Sequence, residues 1–387
     1  MRYNPFNPQV PAQPEFFVGR HGEIQTFERN LFQTTRNSPM SMAVVGNRGI
    51  GKTSLLSKFY QKSKAQNALV ARISNFEGNT RNITDLAELI ITELRMEYLS
   101  SGNAELSDHA KKFLASLSIK LSLGGVDVDV SLKKQEATII FRNKLVDFWG
   151  HIKAQYDSVV ILIDEAESIE RIEGSLMFLR EVFQRLSEIP VPYMIVLCGK
   201  LNFPETMSEA FSPLNRFFPS TRLLYLSQDE TTEFLKKSLK VVDCTIDEGA
   251  TKIIYEKTKG HPYMVVSMAY NIFNNLPETK SSITEEIVSG CIDFCEARLE
   301  QDYFLSLYHP LTPKCKEILL KLANKLNTPK FTFGQAVAIL KMDGYYVSPY
   351  IQEMYRKGCL NKLERGKYEI FHELFLTFLK RRASILT

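Results

Sequence analysis

The feature that most constrains the fold is a segment that fits the pattern G-x-x-x-x-G-K-[ST], Gly46-Asn47-Arg48-Gly49-Ile50-Gly51-Lys52-Thr53. The apolar stretch 42–45 before it predicts a buried strand, and the apolar spacing of residues 54–60 after it predicts a helix. Glycines let successive backbone N–H groups turn toward phosphate oxygens, and the helix N-terminus adds the positive end of its dipole. Strand, loop and helix together therefore predict a site that wraps the phosphates of a nucleotide.

The polar residues of this segment have separate expected roles. We expect Lys52 to reach the β- and γ-phosphates and the Thr53 hydroxyl to hold Mg²⁺. Ser54 follows them at the start of the predicted helix and is counted with the loop among the nucleotide-binding residues. The ligands that this set predicts are ATP or ADP together with Mg²⁺.

A second stretch, 159–163, consists of apolar residues and is followed at once by Asp164 and Glu165. It predicts a buried parallel strand with two carboxylates at its carboxyl end, the edge of an open α/β sheet where ligands bind. We expect Asp164 to lie on the Mg²⁺ side, through water, and Glu165 to orient or deprotonate an attacking water. A strand that ends in acids is common, but this one follows a phosphate loop by about 110 residues, which makes the interpretation specific.

Three further apolar stretches predict the remaining strands of a parallel sheet, 68–73, 193–200 and 223–226. The end of the fourth strand should also reach the nucleotide, so Lys200 and Asn202 are candidate sensors of the γ-phosphate, or else surface loop residues. Arg216 precedes the last strand. It is either a finger that acts on the nucleotide of a neighbouring subunit or the partner of an acid in its own subunit.

The composition is that of an ordinary soluble globular protein, with 44% hydrophobic and 24% charged residues. No apolar run approaches the length that spans a membrane, and no signal-peptide pattern opens the chain. The 6 cysteines are scattered and lack the spacing of a disulfide framework or a zinc site. We therefore expect reduced thiols, a cytoplasmic location and no membrane partner.

Two segments stand outside the predicted core. Prolines at positions 5, 8, 11 and 14 predict an extended, polyproline-like arm over 1–15, which is either a docking peptide or a plain tail. Residues 117–132 alternate apolar and polar side chains on both sides of Gly124-Gly125, which predicts a β-hairpin inserted into the core. The hairpin is either a solvated ribbon or a contact to a ligand or another subunit.

From residue 227 onward the pattern becomes helical. Ser227 and Glu230 have the spacing of a capping box, and helices are predicted near 229–240, 247–258, 263–274 and 283–299. From about residue 311, three helices, the third near 348–357, are followed by a hairpin around Arg365 and a closing helix near 372–382. Three helices followed by a hairpin are the plan of a winged helix.

The C-terminal segment is also the basic part of the chain. Residues 311–387 contain 14 Lys and Arg against 6 Asp and Glu, a balance of +8, so the rest carries −4 against an overall charge of +4. In a winged helix the third helix can enter the major groove of double-stranded DNA while wing cations meet phosphates. The alternative is a winged helix that serves only as an intramolecular lid or a protein contact. The candidate DNA-binding residues are Arg356, Lys357, Lys362, Arg365 and Lys367.

Together these residues resemble the AAA+ and STAND group of P-loop ATPases, particularly the archaeal-type ATPases and the related archaeal origin-recognition initiators. The resemblance extends from about Phe16 to the C-terminus. Three further motifs carry it, Phe17-Val18-Gly19-Arg20, Gly260-His261-Pro262 and Phe371-His372-Glu373-Leu374. It implies that the backbone of Val18, Gly19 and Arg20 flanks the adenine. It also implies that Pro262 packs near the nucleotide base and that His372 reads the β-phosphate of bound ADP.

The resemblance implies a fold of class α/β. Its parts are a P-loop AAA+-like core with a parallel five-stranded sheet over 16–226, an α-helical lid over 227–304 and a C-terminal winged helix over 305–387. The sequence departs from the family pattern at two points: Lys200 stands where the first sensor often has Asn or Thr, and the match of Arg216 to an arginine-finger motif is short. Both points leave open whether such an ATPase turns over in trans within a ring.

The function that these residues predict is a switch that binds ATP with Mg²⁺, hydrolyses it slowly and so controls DNA binding or self-assembly. A rival is a partner-gated signalling or defence ATPase of the STAND kind, held closed by ADP and without DNA contact. A third is an ATPase of DNA transposition or plasmid maintenance that loads onto DNA as a filament. The sequence contains no internal repeats of the kind that STAND sensors carry, which favours the DNA-linked hypotheses or an effector encoded separately.

Overall fold

The computed structural model describes residues 2–74, 80–101, 108–118 and 130–386. Its centre is a five-stranded parallel sheet with the order β2-β3-β4-β1-β5. The predicted parallel five-stranded core is therefore confirmed. The strands are β1 (Met42–Val45), β2 (Ala68–Ile73), β3 (Ser158–Ile163), β4 (Tyr193–Gly199) and β5 (Ser220–Arg222).

Helices cover both faces of this sheet, which is why its inner strands are apolar on both sides. Val160 and Leu162 of β3 pack on one face with Leu55 of the second helix. Ile161 and Ile163 pack on the opposite face. The core helices are α1 (His21–Thr35), α2 (Lys52–Ala65), α3 (Ile83–Ser100), α4 (Asp108–Ser116), α5 (Val130–Ile152), α6 (Ala166–Glu170), α7 (Ser175–Leu186), α8 (Phe203–Phe211) and α9 (Leu214–Phe217).

The last core strand lies three positions earlier than the sequence pattern predicts, at Ser220–Arg222 instead of 223–226. Leu223 still donates its backbone N–H to Val45 O at 2.8 Å, and the chain then leaves the sheet. Leu223 and Leu226 are apolar because they pack in the core and in the adjoining helical unit, respectively. The apolar pattern of 223–226 thus reflects a buried connection.

The predicted hairpin over 117–132 falls mainly on 119–129, which lie outside the described residues. Its last positions, 130–132, belong to α5 instead of a strand. The alternation of apolar and polar residues runs directly into the sequence of a long helix, so it does not show where that helix begins.

A helical unit follows the sheet and begins with the predicted capping box. Ser227 Oγ accepts from Glu230 N at 3.1 Å, and the Glu230 carboxylate accepts from Ser227 N at 2.8 Å. We call this unit the lid. Its elements are α10 (Gln228–Lys240), β6 (Thr245–Ile246), α11 (Glu248–Thr258), α12 (Pro262–Asn274), β7 (Ser282–Ile283), α13 (Glu285–Leu299), a π-helical turn (Glu300–Phe304) and α14 (Leu305–Tyr308).

The C-terminal module, residues 312–386, combines helices with a three-stranded antiparallel sheet of order β8-β10-β9. Its third helix begins earlier than predicted, at Gly344, because the Asp343 side chain caps it by accepting from Tyr345 N at 2.8 Å. The elements are α15 (Pro313–Lys325), β8 (Lys330–Thr332), α16 (Phe333–Leu340), α17 (Gly344–Arg356), β9 (Leu360–Glu364), β10 (Lys367–Ile370) and α18 (Glu373–Leu386).

The N-terminal arm is packed against the lid, although its proline pattern predicts an extended arm instead of a packed element. Phe6 is only 2% exposed, and its ring lies 5.9 Å from that of Phe234 and 6.4 Å from that of Phe273. Asn4 donates to Tyr270 O at 3.0 Å. At its other end the arm reaches the core, where Ala12 N donates to the Ser54 hydroxyl at 3.0 Å. The arm therefore bridges lid and core.

None of the helices in the described ranges is both long enough and apolar enough to cross a membrane.

Candidate nucleotide-binding site

The loop 46–53 connects β1 to α2 and has the backbone shape that its glycines predict. Gly49 and Gly51 have φ angles of +73° and +92°, in the left-handed region that favours glycine. A Cβ on Gly49 would lie 2.8 Å from Cβ of Tyr263 in the lid, so a larger residue does not fit there. The first N–H groups of α2 have no acceptor within the helix, which makes its N-terminus a site for an anion.

Lys52 lies across this loop. Its Nζ donates to the carbonyl oxygens of Gly46 at 3.0 Å and Asn47 at 3.1 Å. Both acceptors belong to the loop itself, so the ammonium group stays beside the N–H groups of the first turn of α2. A phosphate bound to those N–H groups would meet a positive charge at once.

Thr53 and Asp164 meet at the carboxyl edge of the sheet, although 111 positions separate them. Thr53 Oγ1 donates to Asp164 Oδ2 at 2.7 Å, and Asp164 Oδ1 accepts from Glu165 N at 3.0 Å. Asp164 is only 5% exposed. A hydroxyl and a carboxylate are the oxygen donors that Mg²⁺ prefers in phosphate sites. These two residues therefore fit the metal ion that the sequence predicts.

Glu165 has a left-handed backbone, with φ 51° and ψ 48°. This conformation is unusual for a residue with a side chain, costs roughly 1–3 kcal/mol, and occurs mainly at functional sites. It turns the chain from β3 into α6 directly beside Asp164. Glu165 lines the same cavity as Lys52 and Thr53.

That cavity has a volume of about 1440 Å³ and lies between the core and the lid. The loop and the two acids form its floor, and α12 of the lid forms one wall. The N-terminal arm forms another wall, which its proline pattern alone did not predict. Lining residues from these parts include Asn7, Pro8, Gln13, Lys52, Thr53, Asp164, Glu165, Pro262 and Tyr263.

The lid holds the carbonyl groups on the opposite side of the loop. Tyr303 Oη donates to Arg48 O at 2.7 Å, and His261 Nε2 lies 3.2 Å from the same oxygen. Tyr263 N donates to Gly49 O at 3.1 Å. His261 is fully buried, and burial lowers its pKa to about 3, so the ring is neutral and Nε2 carries the proton that it donates.

The motif at 17–20 packs against both the loop and the lid. Arg20 donates to Ile50 O at 3.2 Å, and burial lowers the pKa of its guanidinium despite nearby Glu23 and Glu230. Gly19 has φ +67°, and a Cβ there would lie 2.3 Å from Glu230 Oε1. Val18 is buried. These contacts place the motif beside the phosphate loop, and its expected position against the adenine stays a prediction.

His372 lies between the C-terminal module and the lid. It is 4% exposed, and both of its ring nitrogens are bonded within the protein. Nδ1 accepts from Leu374 N at 3.1 Å, so Nε2 carries the proton and donates to Thr258 O at 3.0 Å. Burial lowers its pKa to about 4. In this arrangement His372 joins α18 to the end of α11 and is not among the residues that line the cavity, and its expected contact with a β-phosphate stays a prediction.

The three candidate sensor and finger residues are separated. Lys200 lines the cavity, and its Nζ lies 3.6 Å from the Glu167 carboxylate. Asn202 instead lines a second cavity of about 1000 Å³ between the core and α17. Arg216 is exposed on α9 and, in the described part of the chain, lines neither of these two cavities. Its expected role, as a finger toward another subunit or as the partner of an acid in its own, stays a prediction.

The candidate DNA-binding residues lie at one end of the C-terminal module. Arg356 and Lys357, at the end of α17, are exposed and line the second cavity. Lys362 lies 3.7 Å from the Glu205 carboxylate of the core, and Lys367 lies 2.8 Å from Glu364. Arg365 is exposed at the tip of the β9–β10 turn. Of this set, Lys362 therefore faces the core.

Several residues of the site have no short motif that could have revealed them. Tyr303 and Tyr263 reach the loop from the lid, and Asn361 of β9 accepts from Asn47 Nδ2 at 3.1 Å. Arg72, at the end of β2, donates to Ser57 Oγ at 3.0 Å and lies beside Thr53. A charged residue at the carboxyl end of a parallel strand was the one signal that could have identified Arg72.

Comparison with known proteins agrees with this geometry. Residues 17–197 match the family described as the AAA ATPase domain. An uncharacterized HTH-type transcriptional regulator of Methanocaldococcus jannaschii is 22% identical in an alignment that covers 97% of this chain and 90% of that protein.

Two solved structures share the fold over almost their whole length. The Walker-type ATPase of Pyrococcus abyssi aligns with a TM-score of 0.60 and 16% identity, covering 97% of this chain and 99% of that one. The Aeropyrum pernix ORC2 protein, in ADPNP–ADP complexes, aligns with a TM-score of 0.62 and 13% identity, covering 100% and 99%.

Proposed function

We propose that this chain, an AAA+ ATPase whose AAA ATPase domain occupies residues 17–197, is a nucleotide-controlled switch. It binds ATP with Mg²⁺ and hydrolyses it slowly, and the nucleotide state controls DNA binding or self-assembly through the C-terminal module. The observation that carries this proposal is the hydrogen bond between Asn47 of the phosphate loop and Asn361 of β9. A change in the loop thereby reaches the module directly.

The residues at the sheet edge have the chemistry for phosphoryl transfer. Lys52 would bind the phosphates together with the N–H groups of α2, and Thr53 and Asp164 would hold Mg²⁺. Bound there, Mg²⁺ supplies positive charge that stabilises the phosphate oxygens. Glu165 would orient or deprotonate the attacking water, because its carboxylate follows Asp164 and lines the same cavity. Arg216 would act on the nucleotide of a neighbouring copy.

Two observations support DNA as the partner. The C-terminal module has three helices followed by a hairpin, with strand β8 between the first two helices, which we interpret as a winged helix, and it carries the basic excess of the chain. The relative from Methanocaldococcus jannaschii is named an HTH-type transcriptional regulator and aligns over nearly the whole chain. Cations at the end of α17 and on the hairpin would contact DNA phosphates.

The test is binding of the full chain to labelled duplex DNA at low and moderate salt, with ATP, with ADP and without nucleotide. Binding that weakens steeply with salt and changes with nucleotide is the expected result, because phosphate contacts release counterions. Replacing Arg365 with Gln should weaken binding and reduce the salt dependence, whereas the same replacement at the distant, exposed Arg185 should not. Salt-independent binding, or none in any state, would contradict the DNA part of the proposal.

A second candidate is a switch gated by a protein partner, without DNA. It is favoured by the contacts of the module with the core, where Lys362 pairs with Glu205 and His372 bonds to the lid. A module used only as an internal latch would show such contacts. If duplex DNA does not bind in any nucleotide state, this candidate replaces the first.

A further inference from the structure

One carboxylate of the core, Glu205 on α8, contacts two elements of the C-terminal module. Its Oε2 accepts from the Tyr355 hydroxyl in the last turn of α17 at 2.9 Å. Its Oε1 lies 3.7 Å from Nζ of Lys362 on β9. Burial and the Glu205 carboxylate together raise the pKa of Tyr355, so its hydroxyl remains a donor at neutral pH.

These two partners are groups that commonly bind phosphate. A tyrosine hydroxyl and a lysine ammonium both donate to the phosphate oxygens of DNA. Glu205 gives them an anionic oxygen from within the same chain. Lys362, one of the candidate wing cations, therefore already has a negative partner, and a DNA phosphate would compete with Glu205 for it.

The position of α17 against the core also hinders contact with DNA. Its outer face, with Tyr346, Pro349 and Arg356, borders the second cavity, and core residues such as Glu170 and Phe203 form the opposite wall. A helix that reads DNA lies inside a major groove about 12 Å wide, with the duplex on both of its sides. The core lies on one of those sides, so a duplex cannot lie on both sides of α17 without movement of the module.

From these contacts we infer that Glu205 of the ATPase core masks the DNA-facing side of the C-terminal module, and that this arrangement is the DNA-excluding state of the switch. The inference rests on the proposed function, because it takes DNA as the partner of that module. To that function it adds Glu205 as the residue that holds the module against the core, and α17 with β9 as the surface that is released.

Both contacts of β9 with the core are placed to respond to nucleotide. Asn361 is bonded to Asn47 of the phosphate loop, and the next residue, Lys362, pairs with Glu205. Glu205 lies on α8, which starts shortly after Lys200, the residue at the end of β4 that lines the nucleotide cavity. A bound γ-phosphate would be adjacent to the elements that anchor both contacts, so its arrival or loss can open or close the module.

The test uses the full chain with Glu205→Gln, which removes the charge but keeps an oxygen acceptor for Tyr355. Glu209→Gln is the matched control, because Glu209 is an exposed carboxylate on the same helix. Binding to a labelled mixed-sequence duplex is measured without nucleotide, with ADP and with a non-hydrolysable ATP analogue. We expect Glu205→Gln to bind the duplex about tenfold more tightly than wild type without nucleotide, a gain of ~1.4 kcal/mol, and the control to match wild type.

A second measurement does not depend on DNA. Amide hydrogen exchange in residues 353–364 should become faster in Glu205→Gln without nucleotide, because the module leaves the core more often, and should be unchanged in the control. Wild-type binding of DNA together with unchanged binding and exchange in Glu205→Gln would overturn the masking inference and leave the proposed function standing. If neither protein binds the duplex in any nucleotide state, the DNA function itself fails.

Discussion

The two sides of the phosphate loop differ in how far along the chain their contacts reach. On the cavity side, Lys52 bonds to carbonyls five and six positions away, within one motif. On the other side, the Arg48 carbonyl meets His261 and Tyr303, which are 213 and 255 positions away, and Asn47 meets Asn361, 314 positions away. The contacts of Lys52 are thus local in sequence, whereas those that couple the loop to lid and module are not.

This difference predicts that changes on the cavity side alter nucleotide chemistry without loosening the fold. The largest effect is expected for Glu165→Gln. Loss of a general base typically costs about 100- to 10,000-fold in rate, so we expect hydrolysis to fall about 1,000-fold with ATP binding retained. Single-turnover hydrolysis and nucleotide titration measure the two quantities separately. A Gln variant that hydrolyses ATP at the wild-type rate would show that another group positions the water.

The next largest effect is expected for Lys52→Ala. Two charge-assisted hydrogen bonds to phosphate oxygens are worth roughly 3 kcal/mol together, so nucleotide affinity should fall about 100-fold. Thermal stability without nucleotide should change little, because Lys52 bonds only to carbonyls of its own loop. Lys58→Ala on the same helix is the control, since Lys58 is not among the residues that line the cavity. An equal loss of nucleotide affinity in Lys58→Ala would show that both changes disturb α2 as a whole, and not a contact of Lys52 with phosphate.

The same contrast explains what the sequence could and could not predict. The strands, the loop, Asp164 and Glu165 follow from short apolar runs and spacings, because each is determined by neighbours along the chain. The end of β5 and the start of α17 were misplaced, because a buried connection and an Asp343 cap decide them. His372 shows the limit of a motif, since its local sequence did not reveal that Thr258 takes its Nε2–H.

Such patterns cannot predict packing between residues that are far apart along the chain, and the reason is physical. The proline spacing of the arm describes its backbone, but the packing of Phe6 among lid aromatics depends on residues more than 200 positions away. The same holds for Tyr303, because the acceptor of its hydroxyl, Arg48 O, is 255 positions away along the chain. Side chains of this kind carry no periodicity that distinguishes a regulatory contact from ordinary core.

On the lid side of the loop, acid should weaken the fold through His261. Its pKa is about 3 in the folded protein and about 6.5 when unfolded, so the unfolded state takes up the proton first as the pH falls. The stabilisation is therefore complete above about pH 6.5 and is lost progressively below it, by ~2 kcal/mol between pH 7 and pH 5. Urea unfolding at both pH values measures this loss.

The matched variant is His261→Gln, which can still donate to Arg48 O but does not titrate. Its stability should depend on pH less steeply than that of wild type, by ~2 kcal/mol over the same range. His372 is also buried, with a lowered pKa of about 4, and contributes a similar slope that this variant leaves in place. Equal slopes in the two proteins would mean that His261 is accessible to protons in the folded state.

The smallest effect is expected for Tyr303→Phe, which tests whether the two sides of the loop are independent. The variant loses the hydrogen bond to Arg48 O but keeps the ring, which stacks on Tyr263 at a centroid distance of 4.7 Å. Because His261 still donates a hydrogen bond to that carbonyl, the loss of stability should be only ~1 kcal/mol. Nucleotide affinity should change less than threefold, as should that of the control Tyr345→Phe, whose ring is 81% exposed. If Tyr303→Phe instead changes affinity tenfold or more, the lid side sets the shape of the cavity side, and the site cannot be understood from its motif alone.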